Sequence, residues 1–214
     1  MKTRIVCLAN SFKEHGRCLA GIELNSKNEV VYDNLIPKWI RPVCKTEHDE
    51  IPTNLVSMIK PLDIIEFEIT EIVPKGFQSE NVLFDEKSLK VLGVFEKEEI
   101  SNLGINSRNN LFGNNGKALA PESVEDLNHS LMFISVSEFE ILEVKYENSE
   151  HPKIRLKFKY NSFNNDLSIT DPIFLEKYKN NRNILKNVNQ IYLVISLGIL
   201  FENWHSKLVA CIIY

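Results

Sequence analysis

Residues Lys153 to Tyr160 have the sequence Lys-Ile-Arg-Leu-Lys-Phe-Lys-Tyr, in which basic and apolar side chains alternate throughout. Successive side chains of a β-strand point to opposite faces of a sheet, so this period of two predicts a strand with one buried face and one cationic face. An amphipathic helix would instead place its apolar residues three or four positions apart. The stretch therefore indicates a β-rich fold.

Further segments of strand length and composition lie on both sides of this stretch. β-Branched and aromatic residues are frequent in them, and short polar turns separate several of them. We predict strands at 3–9, 16–23, 63–72, 130–136, 139–146, 163–169, 190–197 and 206–213. One helix is expected over 173–188, because Thr170-Asp171-Pro172 supplies a capping residue and a proline in the first turn. The predicted class is mainly β with minor α.

The chain has 214 residues, enough for two small domains. Residues 101–127 are rich in asparagine and glycine, which is typical of a connecting loop. We therefore predict an N-terminal unit at 1–100, a connector at 101–127 and a C-terminal unit at 128–214. Several short strands with one helix fit a small Greek-key barrel such as the OB-fold. We expect two OB-like barrels in one chain.

The four cysteines form no Cys-x-x-Cys pair and show no zinc-ligand spacing with histidine. Free cysteines suit a reducing compartment, and the first apolar run is too short for a signal peptide. We therefore expect a cytoplasmic protein that does not associate with membranes.

The net charge of −4 argues against a generic polyanion binder. Charge is unevenly distributed, however: residues 1–46 and 144–186 are net basic, whereas 47–143 are strongly acidic. The basic segments would form a local positive field if they converge in space. Otherwise they are ordinary solvated faces, and the sequence favours neither outcome.

The basic side chains of the opening stretch are the first candidate binding residues. They are Lys153, Arg155, Lys157 and Lys159. Four cations on one strand face suit the phosphate backbone of a nucleic acid. The alternative is a solvent-facing or edge strand whose lysines prevent aggregation. The alternative is slightly favoured, since the stretch itself has no exposed aromatic residue for base stacking.

A second candidate lies in the predicted turn between the first two strands. Asn10, Ser11, Lys13 and Arg17 place an amide, a hydroxyl and two cations close together in the sequence. Such groups, with the backbone N–H groups of a tight turn, can hold an anion. An ordinary polar hairpin loop is the alternative, and the residues alone do not decide between the two.

Two further groups of polar residues precede the connector. Arg41 would either face a ligand or form an internal salt bridge, which is the more common role of such a residue. Gln78, Glu80 and Asn81 follow a predicted turn at Pro74-Lys75-Gly76. Clusters of this kind usually belong to the surface of a loop.

The remaining polar candidates lie in the C-terminal half. Thr170 and Asp171 are first of all expected to cap the predicted helix. Ser196 interrupts an apolar strand, and a serine at such a position is usually satisfied by the backbone. Lys207 begins another apolar strand, where a buried cation is harder to explain as packing alone.

Catalytic motifs are not apparent. Cys7 or Cys18 with His15 would suggest a thiol nucleophile, but no orienting partner has a recognisable spacing. Metalloprotease, phosphate-cradling and dinucleotide-binding motifs are absent from the sequence. We therefore expect no enzyme, no metal and no organic cofactor.

Several motifs occur in one fixed order along nearly the whole chain. They include Ile5-Val6-Cys7-Leu8-Ala9-Asn10-Ser11, Trp39-Ile40-Arg41-Pro42-Val43, Asp166-Leu167-Ser168-Ile169-Thr170-Asp171-Pro172 and Lys207-Leu208-Val209-Ala210. This pattern resembles the dual OB-containing domain family. The sequence departs from the pattern at Phe12-Lys13-Glu14-His15, where a more basic, glycine-richer turn is expected, and at Phe112, where a tryptophan is usual.

The resemblance implies two OB-type barrels in a bacterial protein associated with defence systems. It also implies that the polar motif residues form a ligand pocket or an interface between the barrels. The ligand-binding residues that we predict are Asn10, Ser11, Lys13, Arg17, Arg41, Gln78, Asn81, Thr170, Asp171 and Lys207.

We predict a non-catalytic protein that binds nucleic acid, single-stranded rather than duplex, or a nucleotide-like ligand. One alternative is a subunit that binds a protein partner in a defence complex and whose polar pocket is structural. Another is a nucleotide-processing enzyme in which Lys13, Arg17 and Asp171 converge.

Overall fold

The computed structural model describes residues 1–145 and 150–214. The last residue of the predicted strand 139–146 and the first two residues of the polar turn expected at 148–152 lie outside the described residues. The chain divides into two compact units, Met1–Ile105 and Asn106–Tyr214. Neither unit has, among its described residues, a helix long and apolar enough to cross a membrane.

The N-terminal unit is a closed five-stranded barrel. Its elements in chain order are β1 (Lys2–Lys13), β2 (Gly16–Leu24), β3 (Tyr32–Asp33), β4 (Ile36–Pro37), β5 (Trp39–Val43), the short helix α1 (Thr53–Val56), β6 (Asp63–Ile72), β7 (Asn81–Val94) and a 3-10 helix (Lys97–Leu103). Hydrogen bonds join the barrel strands in the circular order β1-β2-β5-β7-β6. β5 and β7 are parallel, and their neighbours pair antiparallel.

Strand β1 closes this barrel because it pairs with two strands. It pairs with β6 from Lys2 to Val6 and with β2 from Arg4 to Lys13. The register with β2 shifts just after Cys7, and such a bulge bends a strand. Near this bulge a Cβ atom on Gly21 would lie 2.0 Å from the carbonyl oxygen of Val6, so the close approach of the two strands requires glycine.

Apolar side chains fill the core of the N-terminal unit, as the period of two predicts for strands with one buried face. The rings of Phe67 and Phe84 meet edge to face, with centroids 5.5 Å apart. The core cluster also contains Ile5, Cys7, Leu19, Ile40, Cys44, Ile51, Val56, Ile59, Ile65 and Val82.

The C-terminal unit consists mainly of one seven-stranded sheet, and its described residues contain a single α-helix. Its elements are β8 (Ala118–Leu119), a 3-10 helix (Pro121–Val124), β9 (Leu131–Val136), β10 (Phe139–Val144), β11 (Lys153–Tyr160), β12 (Phe163–Ile169), α2 (Pro172–Asn180), β13 (Ile191–Phe201) and β14 (Trp204–Ile213). The hydrogen-bonded order is β10-β11-β12-β14-β13-β9, and β8 pairs with β14.

A bend in the chain connects the two ends of this sheet. The end strands β9 and β10 are consecutive, and only residues 137 and 138 separate Val136 from Phe139. β9 pairs with β13, and β10 pairs with β11. β9 and β10 therefore act as the two halves of one bent strand that pairs with two neighbours, as β1 does in the N-terminal unit.

Most predicted strands are present, with ends that differ by a few residues. The long strand β7 was missed, because residues between Asp85 and Lys90 bulge out opposite β6 and interrupt the alternation. Helix α2 begins at Pro172 as expected but ends at Asn180, so it is shorter than the predicted span of 173–188. The predicted connector 101–127 contains β8, the second 3-10 helix and the end of the first.

Candidate functional site

Asn10 and Ser11 are buried in strand β1. The side-chain nitrogen Nδ2 of Asn10 donates to the carbonyl oxygens of Val56 at 2.7 Å and Ile59 at 2.9 Å. These bonds fasten α1 and the loop after it to the barrel. The structure therefore gives the Asn10 amide group a role in holding the fold.

Arg41 forms a buried ion pair. Its Nη2 lies 2.9 Å from Oε1 of Glu80, and the two side chains are 2% and 4% exposed. The backbone N–H of Arg41 also donates to the carbonyl oxygen of Glu80 at 2.9 Å, where β5 runs parallel to β7. Of the two roles that the sequence allowed for Arg41, the structure shows the internal salt bridge.

Gln78, Glu80 and Asn81 do not lie on a loop surface as the sequence indicated. They are 4%, 7% and 1% exposed. The Nδ2 group of Asn81 donates to Oε1 of Gln78 at 3.3 Å. The reason is that β7 begins at Asn81, so these residues lie where the chain enters the barrel wall.

Lys13 is half-buried at the end of β1. Burial lowers the pKa of its ammonium group, and the positive charges of Arg41 and Lys75 act in the same direction. Cys18 and Asp49 act in the opposite direction. The structure therefore brings Lys13, Arg41 and Lys75 close enough for their charges to interact.

Arg17 lies on the partner strand of β1. Its guanidinium carbon sits 4.5 Å from the centroid of the Phe12 ring, a cation–π contact. Its backbone exchanges two hydrogen bonds with Ile51. Arg17 is thus held at the same turn as Lys13, as the sequence predicted.

Asp171 caps helix α2. One carboxylate oxygen, Oδ1, accepts from the N–H groups of Ile173 and Phe174 at 3.0 Å each. The other, Oδ2, accepts from the N–H of Ile212 at 3.1 Å and so ties the helix to β14. Burial raises the pKa of Asp171, whereas these hydrogen bonds oppose the rise. Its neighbour Thr170 donates to the carbonyl oxygen of Val209 at 3.3 Å.

Lys207 is a buried cation that holds a loop. It is 2% exposed, and its Nζ donates to the carbonyl oxygen of Asn114 at 2.9 Å and to the Oδ1 of that residue at 2.6 Å. Burial lowers the pKa of Lys207 to about 8. Thr170, Asp171 and Lys207 therefore all make bonds that shape the C-terminal unit.

The lowered pKa of Lys207 predicts a pH-dependent stability. Between pH 8 and 10.5, the ordinary pKa of a lysine, Lys207 keeps its ammonium proton in the unfolded chain but loses it in the folded chain. Stability rises with pH wherever the unfolded state binds more protons, so the free energy of unfolding should increase by about 3 kcal/mol over this range through Lys207. Below pH 8 both states are protonated, and the cost of burying the charge is fully present.

Urea denaturation at several pH values tests this prediction by comparing the native chain with Lys207→Met. Groups that titrate in both proteins cancel in the difference. We expect the variant to lack the rise between pH 8 and 10.5. Identical pH dependence in the two proteins would show that the buried ammonium group does not titrate as described.

The predicted two-faced strand is present as β11. Leu156, Phe158 and Tyr160 are buried, whereas Lys157 and Lys159 on the other face are exposed. Lys153 is exposed on the same face as these lysines. The face therefore presents at least three lysines to solvent.

Arg155 differs from the three lysines. Its Nε lies 2.6 Å from Oδ1 of Asp166, its Nη1 donates to Oγ of Ser168 at 2.9 Å, and its side chain is 11% exposed. Oδ2 of Asp166 lies 2.6 Å from Nζ of Lys117, which is 64% exposed. Arg155 therefore holds Asp166 in place, and Asp166 in turn attracts a fourth exposed lysine to this face.

Strand pairing continues this face towards an aromatic pair. Arg155 lies opposite Ser168 on β12, and Ser168 lies opposite Leu208 on β14. Paired residues point to one face of a sheet, and so does every second residue along a strand. Trp204 is four positions before Leu208 and shares its face, and Phe201 pairs with Trp204 across the hairpin. We call this surface of β11, β12 and β14 the outer face.

The aromatic pair lies at the tip of the β13–β14 hairpin. Phe201 is 72% exposed and Trp204 is 52% exposed. The turn residues Glu202 and Asn203 have φ of 47° and 67°, in the left-handed region. Two such residues make the tight turn that suits a two-residue hairpin. The sequence analysis missed this pair, although an asparagine between two aromatic residues was the available signal.

The outer face also carries acidic groups. Glu138 lies 3.2 Å from Lys159, and Glu140 lies opposite Lys157 on β10. Together with Asp166, these residues give the outer face three carboxylates. Its basic side chains number five: Lys117, Lys153, Arg155, Lys157 and Lys159. The face is therefore net positive in a chain whose total charge is negative.

Among residues 1–145 and 150–214, no group of three or more His, Cys, Asp or Glu side chains is arranged to hold a metal ion.

The family model of the dual OB-containing domain matches residues 3–212. The chain belongs to this family. The predicted resemblance is thereby confirmed, as is the predicted fold class of two OB-like barrels with mainly β structure.

The dual OB architecture is visible as one topology used twice. If β9 and β10 are taken together as one bent first strand, each unit has five strands in chain order. In both units the first strand pairs with the second, the second with the third, the third with the fifth, the fifth with the fourth, and the fourth with the first. In both units the helix follows the third strand, and the third and fifth strands are parallel. The repeat lies in strand pairing and not in residue identity.

Two solved structures are similar to this dual OB chain. One is a replication protein A heterotrimer bound to single-stranded DNA, with 8% identity and a TM-score of 0.36, covering 99% of this chain and 48% of that chain. The other is the tetrameric p202 HIN2, with 10% identity and a TM-score of 0.32, covering 100% of this chain and 92% of that chain. No curated protein matches the chain.

Proposed function

We propose that this protein binds single-stranded nucleic acid on the outer face of its C-terminal unit and catalyses no reaction there. The observation that carries the proposal is the presence of exposed lysines and two exposed aromatic rings on one face of one sheet. Cations that follow a backbone, combined with rings on which bases stack, are the usual means of binding single strands.

The lysines would contact phosphates. Lys153, Lys157 and Lys159 lie on one face of β11, where the strand rise places the Cα atoms of every second residue about 7 Å apart. Lys117 adds a cation beside β12. Each neutralised phosphate releases counterions, which makes binding weaken as salt rises.

The aromatic pair would stack on unpaired bases. Phe201 and Trp204 are exposed at a hairpin tip, where a base can reach the ring of either residue. A duplex keeps its bases stacked on each other, so rings of this kind favour a single strand. Stacking contributes about 1–3 kcal/mol per base in comparable proteins.

A charge-reversal variant tests the phosphate contacts. Lys153→Glu, Lys157→Glu and Lys159→Glu in one chain should weaken binding of a fluorescently labelled oligothymidylate at least tenfold. The dependence of log affinity on log salt should become shallower by about 2, since each lost phosphate contact on a single strand contributes about 0.7. Arg155 is left unchanged, because its bonds to Asp166 hold the face together.

The matched control carries the same change of charge elsewhere. Lys27, Lys60 and Lys87 are exposed in the N-terminal unit, and their combined replacement by glutamate should leave the salt dependence unaltered. Equal loss of binding in the two triple variants would mean that net charge, and not the outer face, attracts the oligonucleotide. Unchanged affinity in the β11 variant would refute the proposal.

Replacement of the rings tests base stacking separately. Phe201→Ala and Trp204→Ala should each weaken binding to the single strand by about tenfold, with little change in salt dependence. Tyr32→Ala is the control, since Tyr32 is 52% exposed in the other unit, the same as Trp204. Loss of duplex and single-strand affinity to the same extent would contradict a stacking role.

Further predictions rest on the sequence. A bacterial origin and a part in a defence system that includes a protein partner follow from the family resemblance, and a cytoplasmic location follows from the free cysteines and the short first apolar run. These stay predictions, and the genes that neighbour this one provide the most direct test.

A further inference from the structure

Three turns of the N-terminal unit meet around Lys13, the last residue of β1. The backbones of Arg17 on β2 and Ile51 exchange two hydrogen bonds of 2.9 Å, which join the β1–β2 hairpin to the segment that follows β5. The same segment reaches the turn between β6 and β7, because Oδ2 of Asp49 lies 2.8 Å from Nζ of Lys75. These contacts hold the hairpin, the segment and the turn together.

Lys13 is a cation that lacks an anion of its own. In the part of the chain that the structure describes, its ammonium group makes no hydrogen bond and no ion pair, although its side chain is half-buried. Burial lowers the pKa of this group, so its removal from water has a cost that no ion pair offsets. The positive charges of Arg41 and Lys75 act on it as well and increase this cost.

The carboxylates near the hairpin bind other groups or point to solvent. Asp49 opposes the effect of the cations on Lys13, but its carboxylate is bound to Lys75. Glu50 accepts from its own segment, including the N–H of His48 at 3.0 Å. Glu14 lies in the turn after β1, where its side chain is exposed. An anion that reaches Lys13 therefore meets an unpaired ammonium group.

A phosphate group has the chemistry that this place lacks. It carries up to two negative charges and at least three oxygens that accept hydrogen bonds, so it can bind two ammonium groups at once. Lys75 is available for such a contact, since its side chain is 63% exposed. Arg41 is 2% exposed and engaged with Glu80, so it contributes through its charge and not by contact.

We propose that Lys13 and Lys75 form an anion site on the N-terminal unit that binds inorganic phosphate or a phosphate monoester. A free nucleotide and the phosphorylated end of a nucleic-acid strand both present this group. A phosphodiester within a strand carries one negative charge, so the site should prefer an end to the interior. The site belongs to the other unit from the outer face, and it does not depend on the function proposed for that face.

The thiol of Cys18 can report on this site. Cys18 pairs with Ser11 across the hairpin, and Ser11 and Lys13 lie on one face of β1, so Cys18 points to the same face as Lys13. The other three cysteines are buried, whereas Cys18 is partly exposed, so a thiol reagent should label Cys18 first. A phosphate bound at Lys13 would cover this thiol and repel the thiolate through which it reacts.

The rate at which iodoacetamide alkylates Cys18, followed by mass spectrometry, tests the proposal. Saturating inorganic phosphate should slow the reaction at least about threefold at constant ionic strength. Lys13→Gln should abolish this protection, and Lys13→Arg should keep most of it. Lys27→Gln is the matched control, because Lys27 is exposed beyond the opposite end of β2 and its loss should leave the protection intact.

Further ligands distinguish the sources of the phosphate. Protection by a 5′-phosphorylated oligothymidylate at lower concentration than by thymidine 5′-monophosphate would identify a strand end, and equal potency would identify a free nucleotide. Absence of protection by any phosphate, protection that sodium chloride reproduces, or protection that persists in Lys13→Gln would overturn the proposal. The variant with glutamate at 153, 157 and 159 should still be protected by inorganic phosphate, so the two proposals can fail separately.

Discussion

Replacing Arg41 with alanine should destabilise the N-terminal unit by about 3–5 kcal/mol. The change removes the partner of Glu80 while the carboxylate stays inside the protein, where its side chain is only 4% exposed. An uncompensated buried charge costs far more than the net contribution of the pair that was lost. The free energy of unfolding can be followed through the fluorescence of Trp39, which lies on the same strand, in a Trp204→Phe background.

A double variant separates the buried charge from the packing. Arg41→Met with Glu80→Leu removes both charges and keeps much of the volume, so its stability should return to within about 1–2 kcal/mol of the native chain. A loss below 1 kcal/mol in Arg41→Ala would indicate that water reaches Glu80. A double variant as unstable as the single one would show that the two side chains hold the fold by shape and not by charge.

Replacing Asp171 with alanine should destabilise the C-terminal unit by about 2–5 kcal/mol. Loss of a helix cap typically costs about 1–2 kcal/mol. The variant also leaves the buried N–H of Ile212 without its acceptor, and such an unsatisfied group costs about 1–3 kcal/mol. Circular dichroism during urea denaturation measures the total, and hydrogen exchange at Ile212 and Phe174 measures the two contributions separately.

Two controls accompany this variant. Asp171→Asn keeps an oxygen that can accept from the helix N–H groups, so it should protect Phe174 while exposing Ile212 to exchange. Asp126→Ala removes a carboxylate from an exposed position and should change the stability by no more than about 0.5 kcal/mol. If Asp171→Ala behaves like Asp126→Ala, the hydrogen bonds by which Asp171 joins α2 to β14 do not stabilise the unit.

Much of the fold could be predicted because it depends on neighbouring residues. The alternation in Lys153–Tyr160 and the cap at Asp171 are local signals, and both features are present where expected. The strand β7 was missed because its bulge hides the period of two. The length of α2 was overestimated because Arg182, Leu185 and Lys186 are good helix formers, whereas the asparagines at 181, 183 and 187 favour the turns that this segment adopts.

The candidate site was predictable only in part. The cationic side of β11 follows from the sequence, but the bonds of Arg155 to Asp166 depend on which strand lies beside β11. Lys207 and Asn114 are 93 residues apart, so no local pattern joins them. The aromatic pair could be predicted only if Glu202 and Asn203 were known to form the tight turn that places Phe201 beside Trp204.

The way in which β1 closes the N-terminal barrel also determines when that barrel can form. β1 and β2 are adjacent and can meet as a hairpin soon after synthesis, but the other partner of β1 comes much later: Arg4 meets Glu66 across 62 residues of chain. Loop closure over such a distance is slow, and the open edge of β1 is exposed until β6 arrives. A nascent chain would therefore expose the unpaired edge of an apolar hairpin until β6 has been synthesised. During this period chaperones would be most needed to prevent aggregation.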